Sequence, residues 1–356
     1  MMPIALALAG ILGLALAPGP AAAQDPVAKF YDGKTVELLV AAPAGTGIDL
    51  LARVLATHMA NYIPGKPRII VRNMPGGGGV LVARHLSAAG RQDGTEIGAS
   101  EGGLILNPLL GVNPGHIDMT KFGWLGSVSQ DTAIAVAWAA SGIRSIDDAK
   151  TREVIVGATG AAGTSGQWGA IANATLGTKF RTVFGYPGTT DLNLAMERGE
   201  IQVRLATNAS LRALKPEWFS ERKVHVILQL GPVIGSDLVD VPRFENLAKS
   251  DDDRAMVRLI AATFELNRPY MVPPGTPPDR LRALRAAFEA TTRDPAFIVA
   301  ASKHTNVAPS TGEELERAIT AVYATPRPAV ERLLALSRSQ EELERLQREE
   351  KLRSGR

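Results

Sequence analysis

Short runs of consecutive apolar residues recur along this chain, most closed by a turn signal and followed by a stretch with helical spacing. They predict strands at Val36–Val40, Arg68–Val71, Glu96–Ser100, Ala133–Trp138, Val154–Ala158, Arg181–Phe184, Gln202–Ala206 and Val224–Gln229. Strands this continuously apolar are buried on both faces, as in parallel sheets covered by helices. The fold class is therefore α/β. Runs before about Gly126 build one βαβαβ unit, and those from Val154 to Gln229 build a second.

The densest pattern lies between Val36 and Gly98. There TVELLV leads into AAPAGTGID and the helical LLARVLATHMANYI, and RIIV leads into RNMPGGGG and VLVARHLSAAG, before the strand in DGTEIGAS. A strand, a bare loop and a helix start make an anion site from backbone alone. Glycine lets a ligand reach the N–H groups, and the helix start carries about half a positive charge. In open α/β sheets such loops lie at the carboxyl ends of strands, where ligands bind. The second unit has its own loops, GATGAAGTSG after Val156 and GYPGTTD after Phe184.

The chain is expected to pass between the units near Ala133–Trp138 and again near Arg268–Pro274. There RPYMVPPGTPPD reads as an extended, proline-stiffened segment ahead of a helix at Arg280–Arg293. Two passages give two doubly wound lobes with a ligand cleft between them, an architecture that closes by hinge motion. The expected division is 24–133 plus 267–325 for the first lobe and 134–266 for the second. The acidic run Asp251–Asp253 reads as a solvated helix start.

The two ends have a different texture. An apolar run from Ile4 to Ala17, a Pro-Gly-Pro break and Ala21-Ala22-Ala23 read as a signal peptide over 1–23, cleaved before Gln24. The run is short for a membrane span of about 20 residues. Residues 326–356 are rich in Glu and Arg at helical spacings, with an intermittent apolar stripe of Val330, Leu333, Leu334, Leu336, Leu343 and Leu346. This is expected to be a charged C-terminal helix that packs its first turns and frays after about Leu346.

Composition narrows the function. The chain has 356 residues and no cysteine, so neither disulfides nor a lipid-modified N-terminal cysteine are expected after export, and a soluble periplasmic protein follows. A formal net charge of +3 with interleaved signs, and only 5% aromatic residues, leaves no nucleic-acid footprint.

The ordered segments FYDGKTVELLVAAPAGTGIDLLARVLATHM, YIPGKPRIIVRNMPGGGGVLVARHL, DGTEIGASEGGLILNPLLG, FGWLGSVSQDTAIAVAW, GYPGTTDLNLAMERGEI and RPYMVPPGTPPDRLRALRAAFEATTRDPAF together carry a family likeness. From Phe30 to about Tyr323 the chain resembles the periplasmic substrate-binding proteins of tripartite tricarboxylate transporters, the extracytoplasmic receptors called Bug. The resemblance implies a type II periplasmic-binding-protein-like fold and a small organic carboxylate as ligand. It also implies delivery to membrane permease subunits. In that family a ligand carboxylate lies against backbone amides of the loop after the first strand, here Pro43 to Asp49, and second-lobe loops meet its other end. This chain has Ala44 and Thr46 where the family usually has glycine, and Gly166-Gln167-Trp168 where a polar run with histidine is common.

The candidate ligand-binding residues are Ala44, Gly45, Thr46, Asp49, Gly77, Gly78 and Ser100 in the first lobe. In the second they are Gly160, Thr164, Ser165, Tyr186, Gly188, Thr189 and Asn208. Thr46 and Asp49 frame the first helix start, where a side-chain oxygen caps free N–H groups. Asp49 is a loop brace or a contact for a ligand donor. Glu101 is turned away or selects a ligand with a donor, and Trp168 is core or pocket wall. Five scattered histidines fit no metal motif, and neither a Walker A nor a G-x-G-x-x-G pattern is present. Ser165 lies outside a G-x-S-x-G elbow and has no assignable base. A monomeric binding protein with no cofactor and no catalysis is expected. The alternatives are an orphan carboxylate receptor that signals to a membrane sensor, and a serine hydrolase.

Overall fold

Eleven strands form among the described residues of the computed structural model, which are 25–106, 108–111, 117–161 and 164–354. The signal peptide read over 1–23, His116, and Ala162-Gly163 of the second-lobe loop lie outside them. The strands are β1 (Thr35–Val40), β2 (Arg68–Asn73), β3 (Glu96–Ala99), β4 (Gly123–Ser127), β5 (Ala133–Trp138), β6 (Val154–Gly157), β7 (Phe180–Val183), β8 (Val203–Thr207), β9 (Val224–Leu230), β10 (Pro269–Val272) and β11 (Ser310–Thr311). One sheet has the order β11-β4-β10-β3-β1-β2, the other β7-β6-β8-β5-β9.

Both sheets are mixed rather than parallel. β1 runs parallel to β2 and β3, and β6 parallel to β7 and β8, as the βα spacing dictates. However, β5 runs antiparallel to β8 and β9, and β10 antiparallel to β3 and β4. The reversals fall where the chain changes sheet. Ala133–Trp138 is an inner strand of the second sheet rather than the passage itself, which occupies 128–132. Pro269–Val272 is an inner strand of the first sheet, and the return passage lies at 266–268. Its proline is tolerated because it stands at the first strand position.

The helices follow from apolar faces and local caps. The Gly47–Met59 helix buries Ile48, Leu51, Ala52 and Leu55 against the first sheet's core with Val36, Leu38 and Val40. The Asp251–Glu265 helix begins at the acidic run, with the Ser250 hydroxyl accepting the Asp253 N–H and three carboxylates in the first turn, where the helix dipole favours them.

The C-terminal helix differs from expectation. It runs unbroken from Arg327 to Ser354. Ala329, Val330 and Leu333 are buried against the Asp251–Glu265 and Thr164–Leu176 helices. Beyond them two polar side chains reach the second lobe. Glu344 Oε2 accepts the Ala161 N–H at 2.8 Å. Gln347 accepts the Phe184 N–H at 3.0 Å and donates to the Thr182 carbonyl at 2.8 Å, pairing with edge strand β7 as a neighbouring strand would. These contacts and i,i+4 pairs such as Arg348–Glu344 keep the last turns helical.

Candidate functional site

A cavity of about 240 Å³ opens at the carboxyl ends of β6 and β8. These strands pair in parallel, with Gly157 opposite Arg204. Its walls carry the hydroxyls of Thr159, Thr164, Ser165, Thr189, Thr207 and Ser210, the apolar Leu192, Leu205, Leu211 and Phe264, and one charged side chain, Arg204. Thr164 and Ser165 are the first residues of the 13-residue Thr164–Leu176 helix, so its positive end faces the same space. No Asp or Glu lines the cavity.

Sequence reasoning misses Arg204. It lies in β8, the central strand of the second sheet, and is 4% exposed. Its Nη1 donates to the Thr189 carbonyl at 3.1 Å and to Asn193 Oδ1, while Nε is buried without a partner. It makes no ion pair with any described residue. Burial pushes its pKa down to about 10, so it stays cationic at neutral pH. The signal was present in IQVRLAT, where a guanidinium interrupts an apolar run that ends in a loop. Arginine is almost never this buried unless paired.

Of the expected site residues, Thr164, Ser165 and Thr189 line this cavity; the rest are placed elsewhere. Tyr186 lines a separate open groove of about 880 Å³ between the β7 edge and the C-terminal helix. Gly188 precedes the Thr189–Glu197 helix in extended backbone. Gly160 lies beside the Glu344 carboxylate. Asn208 is buried, its Oδ1 accepting from Arg212 Nε at 2.9 Å. Trp168 is core: fully buried, its ring centroid lies 4.9 Å from that of Phe180.

In the first lobe Asp49 is a brace. One carboxylate oxygen accepts the Gly45 N–H at 2.8 Å and Arg53 Nε at 3.0 Å, and the other accepts Asn73 Nδ2 at 2.8 Å. Asn73 also donates to the Ala42 carbonyl, so one network ties the loops after β1 and β2. Thr46 does not cap the helix. Its hydroxyl donates to the Pro43 carbonyl at 2.8 Å, and exposed Ala44 lies between them. Gly77 and Gly78 belong to a turn in which Gly76 to Gly79 all have positive φ, a path other residues rarely follow. Ser100 is buried at the end of β3, its hydroxyl 3.4 Å from the Glu101 carbonyl. Glu101 pairs with Arg268 at the return passage.

The Asp49 brace has a pH signature. Burial alone would raise its pKa, but hydrogen bonds from Arg53, the Gly45 amide and Asn73 outweigh burial and hold it below the usual carboxylate range. The folded pKa is below the unfolded one, so this stabilisation is full above the unfolded value of about 3.9 and is lost as pH falls through the folded value. The acid limb of the melting-temperature profile is expected to be flatter in Asp49→Asn than in wild type.

Metal chemistry has no donor set here: among the described residues no group of His, Cys, Asp and Glu could hold an ion. His58 faces Asp294 and His85 faces Glu96.

Comparison with known proteins bears on the fold. No family model matches it. Over 291 residues it is 26% identical to a UPF0065 protein of Bordetella bronchiseptica, covering 80% of this chain and 81% of that one. A TctC solute-binding protein from Polaromonas superposes with a TM-score of 0.68 at 20% identity, covering 87% of this chain and 99% of that one. Rpa4515 of R. palustris, solved with adipate, superposes at 0.50 with 15% identity, covering 85% and 97%. The chain has the fold of these solute-binding proteins, and the resemblance drawn from its sequence segments is borne out.

Proposed function

We propose that this protein is an exported receptor that captures a small organic carboxylate and delivers it to the membrane subunits of a tripartite tricarboxylate-type transporter. The cavity at the ends of β6 and β8 carries this reading. It joins hydroxyl donors, a helix N-terminus and a cation in one pocket without an acidic wall, which suits an anion and repels a cation. The adipate held by the R. palustris neighbour is the same class of ligand. Export rests on the leader read in the first residues, and the permease partners rest on the family resemblance. No helix among the described residues is long and apolar enough to cross a membrane. Catalysis is no part of the proposal, since Ser165 has no histidine or carboxylate beside it in the cavity wall to serve as a base.

A thermal-shift screen of the chain from Gln24 onward tests it. The panel holds adipate, malate, citrate, glutamate, nicotinate and phthalate, with sugars and amines as controls. A ligand at 100 times its dissociation constant stabilises the folded state by about 2.7 kcal/mol, a shift of several degrees. Shifts confined to carboxylates are the expected result. Shifts confined to sugars or amines would contradict the reading.

A further inference from the structure

We propose that Arg204 in the second lobe, rather than the glycine-rich loop after β1, takes the ligand's carboxylate. The inference rests on the receptor reading and assigns the charge-recognising group within it.

Three independent observations lead here. The first is the state of Arg204 itself. A guanidinium removed from water with a buried N–H unpaired and no carboxylate beside it is costly, unless an anion completes it. Its planar fork matches a carboxylate better than any other donor in the cavity. The second is the surroundings. Thr164 and Ser165 stand in the same wall with hydroxyls to share, and Leu192, Leu205, Leu211 and Phe264 offer an apolar lining for a short hydrocarbon body. The third is the competing site. The loop after β1 already presents its Gly45 N–H to the protein's own carboxylate, Asp49. A ligand carboxylate brought to that amide would meet a like charge.

With a single cation in the wall, one carboxylate is neutralised inside the cavity. The ligand class is therefore an acid with one carboxylate on a short apolar body, or a diacid whose second carboxylate lies outside.

Calorimetric titration with hexanoate, adipate and the neutral hexanamide, on wild type, Arg204→Met, Arg204→Lys and Asp49→Asn, tests the assignment. Wild type is expected to bind hexanoate or adipate and to reject hexanamide by at least 100-fold. Arg204→Met should lose at least 100-fold for the acid and still fold, since removal of a buried charge offsets the two acceptors, the Thr189 carbonyl and Asn193 Oδ1, that it leaves unpaired. Arg204→Lys keeps charge without the fork and should lose about tenfold; Asp49→Asn should stay within threefold. A folded Arg204→Met that binds the acid as wild type does would overturn the Arg204 assignment and leave the receptor standing. Should that variant fail to fold, equal binding of hexanoate and hexanamide by wild type would overturn the assignment instead. Absence of acid binding to wild type would overturn both.

Discussion

A chain ended after Thr325 loses about 5 kcal/mol of stability, on the usual worth of buried Val and Leu side chains and of the partners they cover. Val330 and Leu333 are nearly fully buried, and their loss bares the faces of the Asp251–Glu265 and Thr164–Leu176 helices. Arg332 goes with them, together with its pair to Asp253 and its bond to the Ala174 carbonyl. The removal also reaches the second-lobe loops. Ala161 loses the Glu344 carboxylate, and edge strand β7 loses the Gln347 amide that satisfies Thr182 and Phe184. Urea unfolding of the full and shortened chains measures the first effect, and amide exchange at Ala161 and Phe184 the second. A loss below about 1 kcal/mol, typical of substitutions on an exposed surface, would mean the helix only rests on the lobe.

Trp168→Ala is the single substitution expected to cost most, about 3–5 kcal/mol. The indole is fully buried against Phe180, and the space it would vacate lies under the helix that begins with Thr164 and Ser165. Those hydroxyls stand one turn before Trp168, so loss of the ring is expected to weaken ligand affinity as well as stability. Trp168→Phe keeps most of the apolar volume and should cost less than half as much. Thermal melts with and without adipate separate the two effects. Equal affinity in a destabilised Trp168→Ala would show that the first turn holds its position without the ring.

Eight of the strands were legible because each is a run of apolar residues ending in a loop. The three that escaped, β4, β10 and β11, fail that test for physical reasons. β4 is bounded by Gly123 and contains Gly126, β10 opens on Pro269 inside a proline-rich segment, and β11 is only Ser310–Thr311. All three pair antiparallel in the first sheet, so the βα rhythm that exposes parallel strands gives no sign of them.

The lining of the candidate cavity was legible in part. Thr164, Ser165 and Thr189 followed from loops at the ends of strands. Asp49 as a loop brace was one of the two readings open in the sequence; its bonds to Gly45 and Arg53, each four residues away, are local, whereas Asn73 reaches it only once β1 and β2 are paired. Arg204 was not singled out, because a lone arginine inside an apolar run carries no motif; its burial and its unpaired Nε appear only once β8 sits between β6 and β5. The C-terminal helix repeats the point. Its apolar stripe marked the packing of the first turns, but its far end is held by Glu344 and Gln347, polar side chains that sequence assigns to solvent.

The most direct measurement is a crystal structure grown with adipate. The expected result is a carboxylate within hydrogen-bond reach of the Arg204 guanidinium and of the Thr164 or Ser165 hydroxyl, with the hydrocarbon chain along Leu192 and Phe264. A carboxylate bound at the Pro43–Gly47 amides, with the cavity beside Arg204 empty, would contradict it.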